Sequence, residues 1–193
     1  MRIITGIAKG RRLLRPRGQT VRPTSDRIKE SVFGILGEDV VDAVVLDLFA
    51  GTGNLGIEAL SRGARKAIFV ERDKEALRLI RRNLSQCEME ERSEVIPKDV
   101  LRAISVLDVR GERFDIIFAD PPYGRGWIVK IFQVLGDHRI CHERTILVLQ
   151  RDRRESLPER ITGWGLVRER RIGDSVISFL SPEVKPLLRS HNL

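Results

Sequence analysis

The 193-residue sequence predicts an α/β fold, a largely parallel sheet with helices on both faces. Three observations predict it. Short apolar runs alternate along the chain with amphipathic stretches of helical period. One run, Val44-Val45-Leu46-Asp47-Leu48-Phe49, feeds a Gly51-Thr52-Gly53 turn and then a helical stretch. Another, Phe114-Asp115-Ile116-Ile117-Phe118-Ala119, ends in Asp120-Pro121-Pro122-Tyr123. Open parallel sheets hold ligands beyond the carboxyl ends of their strands, so both turns fall where a site is expected.

Taken in order, the chain opens on a basic stretch in which Ile3, Ile4, Leu13 and Leu14 interrupt the arginines. That interleaving predicts a folded β-hairpin turning near Ala8-Lys9-Gly10. Thr24, after Pro23, is a plausible N-cap for a helix to Leu36, whose apolar stripe is Ile28, Val32, Ile35 and Leu36; Gly37 stops it. Ala43 to Phe49 reads as the first strand, with a helix to Arg62 ended by Gly63. Lys66 to Val70 is the second strand, and Asp73 leads into a helix to Leu84 with Leu77, Ile80 and Leu84 on one face. Ser93 to Pro97, Phe114 to Ala119 and Thr145 to Gln150 read as further strands. Helices are expected from about Val100 to Leu107 and from about Trp127 to Leu135. Gly165 to Arg170 and Ser175 to Leu180 predict a closing hairpin with Gly173-Asp174 at its turn. The division is a single domain over 1–193, with a basic extension at 1–22, a helix at 23–37, the core at 43–181 and a tail at 182–193.

Composition points to a nucleic-acid partner. Hydrophobic content of 41% with 32% charged residues suits a globular protein, and the formal net charge is +8. Residues 1–30 alone carry +7, mostly as arginine, whose planar fork suits phosphates. A solvated basic tail would carry the same charge but would not interleave it with apolar residues. Lys9, Arg11, Arg12, Arg15, Arg17 and Arg27 are the candidate RNA contacts. No run approaches the ~18 apolar residues of a membrane span, and Met1-Arg2 does not open a signal peptide. Cys87 and Cys141 form no C-x-x-C and read as reduced thiols of a cytoplasmic protein. His138, Cys141 and His142 resemble ligand spacing on a helix, but no fourth ligand is evident and no metal is expected.

The chemistry-bearing residues follow from the two turns. Gly51 and Gly53 allow a sharp turn and close approach to a ligand, and the following helix N-terminus offers free N–H groups. Glu71, eighteen residues after Gly53, ends the second strand where such a unit holds the hydroxyls of a ribose; its bland alternative is a solvated charge. The third glycine, Gly56, comes one position early for G-x-G-x-x-G. That argues against a nicotinamide or flavin and for S-adenosylmethionine, which has no pyrophosphate. Asp99 is placed to accept from an adenine amine and equally well to cap the next helix. The bland alternative for Asp47 is an anchor for the loop through its backbone N–H groups. Prolines 121 and 122 lack N–H donors, Asp120 accepts hydrogen bonds and Tyr123 offers a stacking face, a slot for a flat amino-bearing base.

Four stretches together resemble a known family. They are Arg2-Ile3-Ile4-Thr5-Gly6 with Lys9-Gly10-Arg11-Arg12-Leu13; Arg22-Pro23-Thr24-Ser25-Asp26-Arg27; Leu46 to Gly53 with Gly56-Ile57-Glu58-Ala59-Leu60-Ser61-Arg62-Gly63-Ala64; and Asp120 to Tyr123. The chain resembles the bacterial 16S ribosomal RNA guanine-N2 methyltransferases of the RsmD type over nearly its whole length. The resemblance implies a Rossmann-like, seven-stranded class I S-adenosylmethionine-dependent methyltransferase fold with an antiparallel final hairpin. It implies cofactor contacts from Arg22, Thr24, Asp47, Phe49, Ala50, Gly51, Thr52, Gly53, Asn54, Glu71, Arg72, Asp99 and Val100. Asp120, Pro121, Pro122 and Tyr123 would be the catalytic set. The implied substrate is 16S ribosomal RNA, free or in a partly or fully assembled small subunit, and the expected state is a monomer. Gln150, where an acidic residue is expected, and Ile172, where an aromatic is usual, depart from the pattern and put peripheral contacts in doubt. The competing readings are an adenine-N6 methyltransferase on DNA or RNA, a protein-glutamine methyltransferase, and an RNA-binding module without cofactor.

Overall fold

A computed structural model describes residues 1–16, 26–158, 161 and 163–183. Seven strands form one sheet: β1 Val44–Leu48, β2 Lys66–Glu71, β3 Ser93–Pro97, β4 Phe114–Ala119, β5 Cys141–Asp152, β6 Trp164–Ile172 and β7 Ser175–Pro182. Five α-helices accompany them among the described residues: α1 Asp26–Leu36, α2 Asn54–Ser61, α3 Lys74–Gln86, α4 Val100–Val109 and α5 Trp127–Asp137. The strand order is β3-β2-β1-β4-β5-β7-β6. β1 to β5 pair in parallel, while β7 lies antiparallel between β5 and β6. The order reverses between β1 and β4, which opens a crevice beyond their carboxyl ends.

Apolar layers cover both faces. Phe33 of α1, Ile57 and Leu60 of α2, and Ile80 and Leu84 of α3 pack with Phe69 and Phe118 on one side. Ile104 and Leu107 of α4 and Ile131 and Leu135 of α5 pack with Ile68, Ile117 and Leu147 on the other. α3 begins where expected, because the Asp73 side chain accepts from the N–H groups of Glu75 and Ala76. Gly56 is a packing requirement: a Cβ there would lie 2.3 Å from Phe69 Cε1, so only glycine lets α2 sit this close to β2.

The N-terminal segment differs from expectation in kind. Its hairpin is reduced to one isolated antiparallel bridge, Arg2 to Arg12, closed by Ile3 N–H to Arg11 O at 2.9 Å and Gly10 N–H to Ile3 O at 2.8 Å. What holds it is the body of the protein. Ile3, Ala8 and Leu13 are buried in the core. The buried Glu58 carboxylate accepts from the N–H groups of Ile4 (2.9 Å) and Thr5 (3.1 Å), from Lys29 Nζ (3.1 Å) and from Arg62 Nε (2.8 Å). Ser61 Oγ donates to Thr5 O and accepts from Ala8 N–H. Gly6 fits because its missing Cβ would collide with Ser61 O at 1.7 Å. The Gly-Ile-Glu-Ala-Leu-Ser-Arg motif is thus the receptor for the arm.

Other boundaries shift. β5 starts four residues early at Cys141, on the far side of a register irregularity between Phe114 and Ile116. Cys141 and His142 therefore stand on a strand and not on a helix, and their ligand-like spacing dissolves. His142 Nε2 lies 3.1 Å from Asp115, whereas His138 Nε2 lies 3.0 Å from Ser105 Oγ. β7 runs through Pro182, one residue into the expected tail, while 184–193 and the Thr24 cap lie outside the described residues.

Candidate active site

Four strand ends converge on one cleft of about 280 Å³. Phe49 closes β1; Val70, Glu71 and Arg72 follow from β2; Lys98, Asp99 and Val100 follow β3; Asp120 and Pro122 follow β4; and Trp127 opens α5. Parallel pairing sets this convergence, since Leu48 is in register with both Val70 and Ala119. Phe49 adopts φ 59°, a left-handed conformation unusual for an aromatic residue. Its ring meets Trp127 edge-on, with centroids 4.9 Å apart.

The glycine turn is tied down group by group. Ala50 N–H donates to Val70 O, Gly53 N–H to Ala50 O at 2.7 Å, and Gly51 N–H to Glu71 Oε2 at 2.9 Å. Glu71 Oε1 also accepts from the N–H groups of Arg72 and Asp73. Glu71 is therefore more than a solvated charge: it clamps the β1–α2 turn to the β2–α3 turn. A carboxylate accepts about four hydrogen bonds, so capacity remains for a hydroxyl from the cleft. Asp99 caps α4, accepting from Arg102 N–H at 3.1 Å, and still lines the cleft.

Asp47 sits behind the turn and not among the cleft-lining residues. It is buried and accepts from Gly56 N–H at 2.9 Å, at the start of α2. Burial pushes its carboxyl up to about 7; the Gly56 hydrogen bond opposes this, and the nearby Asp120 and Glu71 carboxylates add to it. Gly53 also differs from expectation. At φ 81°, its missing Cβ would point at Ile57 and Phe69 in the core, 3.0 and 3.4 Å away, and not into the cleft. Gly51 is the open position, where a Cβ would meet nothing nearer than Phe49 O at 4.0 Å. Ala50, Thr52 and Asn54 complete the turn and the start of α2.

Beyond β4, Pro121 is buried, Pro122 is exposed at the cleft and Tyr123 is half-buried. Gln150 Nε2 donates to the Tyr123 hydroxyl at 3.2 Å. The departure at Gln150 is thus not peripheral; it touches the slot. Glu155 Oε1 accepts from Gly124 N–H at 2.8 Å, so the slot loop is also fastened to the end of β5. Sequence reasoning missed Val70, Lys98 and Trp127 as cleft residues, although each adjoins a recognised motif.

Lys9, Arg11, Arg12, Arg15 and Arg27 are exposed. Arg11 is engaged: it pairs with Glu88 at 2.7 Å and donates to Gln86 O, pinning the arm to the end of α3. Arg17, Arg22 and Thr24 lie outside the described residues. α3 adds exposed Arg78, Arg81 and Arg82, whose i, i+3, i+4 spacing puts them on one helix face, a signal legible in the sequence but not used.

Strand order, reversed final hairpin and cleft position define the seven-stranded fold of the S-adenosylmethionine-dependent methyltransferases. The chain belongs to the family described as conserved hypothetical protein 95, whose model matches residues 1–181. It is similar to ribosomal RNA small subunit methyltransferase D of Escherichia coli, at 34% identity over 90% of this chain and 85% of that one. A solved Escherichia coli structure superposes with a TM-score of 0.83 at 33% identity, covering 95% of this chain and 98% of that chain. An RNA methyltransferase from Salinibacter ruber, solved in complex with S-adenosyl-L-homocysteine, shares the fold at TM-score 0.65 and 17% identity, covering 86% of this chain and 97% of that one.

Proposed function

We propose that this chain transfers the methyl group of S-adenosylmethionine to the exocyclic N2 amine of a guanine in 16S ribosomal RNA. Family membership supports S-adenosylmethionine-dependent methylation of ribosomal RNA. The observation that carries the reading is that one cleft joins the carboxylates of Glu71 and Asp99 to Asp120 and Pro122. The cleft suits the cofactor: Val70, Val100 and Trp127 give a planar base apolar walls, Glu71 has capacity for ribose, and Gly51 leaves room for close approach. Asp47 forms no ion pair among the described residues, and a cationic ligand at the turn would favour its ionised form.

Bound S-adenosylmethionine supplies a methyl already activated by its sulfonium, so the protein's work is alignment. Asp120 and the adjoining backbone carbonyl would accept from the amine, turn its lone pair toward the methyl and offset the positive charge that develops on nitrogen. As the N–C bond forms the sulfonium–methyl bond breaks, and the amine proton then leaves to solvent water. Tyr123 would stack on the base, worth about 1–3 kcal/mol, with its ring held through Gln150. N2 is buried in a duplex, so the target must be unpaired or extruded. The exposed arginines of the arm and of α3 would neutralise phosphates around it. No helix among the described residues is long and apolar enough to cross a membrane. A cytoplasmic monomer remains the expected setting.

Mass mapping of ribosomal RNA from cells with and without the gene tests the base assignment. Loss of one N2-methylguanosine is expected; loss of an N6-methyladenosine would overturn it. Asp120→Ala should leave cofactor affinity near wild type while cutting turnover about 100-fold or more. Tyr123→Phe should retain most activity, because stacking needs only the ring.

A further inference from the structure

One buried side chain joins the basic arm to the glycine turn. Asn83, on α3, is fully buried. Its Oδ1 accepts from Leu14 N–H at 2.7 Å, and its Nδ2 donates to Leu14 O at 3.2 Å and to Thr52 O at 2.9 Å. Both amide hydrogens and the carbonyl are thus spent on two backbone segments that are far apart in sequence. Thr52 lies between Gly51 and Gly53, and its hydroxyl also meets Met1 Sδ at 3.9 Å. Met1 therefore touches Thr52 directly, and Leu14 reaches it through Asn83. The rest of that turn is held from the opposite side by Glu71, which lines the cleft.

We propose that Asn83 is a positioning residue through which the docked N-terminal arm sets the backbone of the Gly51–Gly53 turn, so that arm docking and cofactor binding are energetically coupled. This rests on the reading that the turn abuts the cofactor. Asn83 holds the Thr52–Gly53 peptide from its carbonyl side, adding to the Gly53 N–H bond to Ala50 O, and Leu14 supplies two of the three bonds that orient Asn83. If the arm is displaced, the amide loses that orientation and the Thr52–Gly53 peptide keeps only the bond from Gly53 N–H to Ala50 O. Coupling is reciprocal: a ligand that tightens the turn must also tighten the arm. An arm that carries RNA-facing arginines would then report substrate engagement to the cofactor pocket without touching it.

A purely structural Asn83 would stabilise the fold and leave the two events independent, and a double-mutant cycle separates the cases. Gly6→Ala disturbs the arm at Ser61, where the new Cβ would lie 1.7 Å from the carbonyl, and does not touch the turn. Calorimetry with S-adenosylhomocysteine would compare full-length wild type, Gly6→Ala, Asn83→Ala and the double variant, each checked for folding by circular dichroism. Each single variant should bind about 5- to 20-fold more weakly, within the usual range of coupling between sites, and the double variant no more weakly than Asn83→Ala. Multiplied losses in the double variant, or undiminished binding by either single, would overturn the proposal. Where a variant does not fold, hydrogen exchange on the wild type decides. Saturating S-adenosylhomocysteine should slow exchange of the Leu14 amide, and an unchanged rate would overturn the proposal. Wild type that failed to bind S-adenosylhomocysteine would instead sink the cofactor reading itself.

Discussion

Two buried carboxylates, Glu58 and Asp47, meet the same helix and are provided for in opposite ways. Glu58, inside α2, is surrounded by Lys29, Arg62 and the N–H groups of Ile4 and Thr5. Asp47, on β1, accepts from Gly56 N–H at the start of α2 and forms no ion pair among the described residues. Burying a charge costs several kcal/mol unless partners compensate. Glu58 has its compensation built in and behaves as a clasp. Asp47 does not, and its carboxyl holds its proton up to about 7. The difference separates a carboxylate whose charge the fold compensates from one beside the glycine turn whose charge it leaves uncompensated.

The most severe way to break the comparison is Glu58→Ala. It would strand Lys29, which is fully buried and, among the described residues, otherwise donates only to Arg2 O. Urea unfolding should show a loss of about 3–5 kcal/mol, the usual cost of removing one partner of a buried pair. A loss below 1 kcal/mol would mean that the clasp is decorative.

Asp47→Asn sharpens the comparison with an effect of opposite sign. The folded pKa of Asp47, about 7, lies above its ordinary value of 3.8. The folded state therefore holds a proton that the unfolded chain releases, and this residue's contribution falls as pH rises from about 4 to about 7. The amide cannot ionise and keeps an acceptor for Gly56. At pH 8 the variant should be more stable than wild type by about 1–3 kcal/mol, with a flatter stability profile between pH 4 and 7. Affinity for the cationic cofactor should fall at the same time. A variant less stable than wild type at pH 8 would show that Asp47 is as well compensated as Glu58.

Arg62→Met is the mildest test. Arg62 is only partly exposed, pairs with Glu58 at i, i+4 and lies 4.6 Å from the Phe33 ring centroid. Methionine keeps most of the packing, so a loss of about 0.5–1 kcal/mol is expected from urea unfolding. A larger loss would identify Arg62, and not Lys29, as the principal counterion.

Much of this was legible in the sequence, for identifiable reasons. β3 and β4 fall at the expected residues because short apolar runs there are bounded by turn residues on both sides. Phe49, Glu71, Arg72, Asp99, Val100, Asp120 and Pro122 share a cleft because parallel strands deliver their carboxyl ends to one edge. The early start of β5 was not legible, since Cys-His-Glu-Arg carries no strand signal and pairs only past the irregularity opposite Phe114. The direction of the Gly53 Cβ was hidden for a different reason: a Gly-x-Gly pattern reports a turn but not which side of it faces the ligand. The clasp was invisible because Glu58 reads as one more charge on a helix until the first residues of the chain are seen lying against it.

That docking also imposes an order on how the protein is made. Ile4 and Thr5 find their partner 54 and 53 positions downstream, Leu14 finds its partner 69 positions downstream, and Arg11 reaches residues 75 and 77 positions further on. During synthesis the basic arm leaves the ribosome before α3 and gains its seat only after α3 has followed. Until then Ile3, Ala8 and Leu13 have no core to enter. Closure of these long loops should fall late in folding, since non-local contacts form after local ones. The nascent chain thus passes through an interval in which its basic segment is exposed and its glycine turn lacks the bond from Asn83.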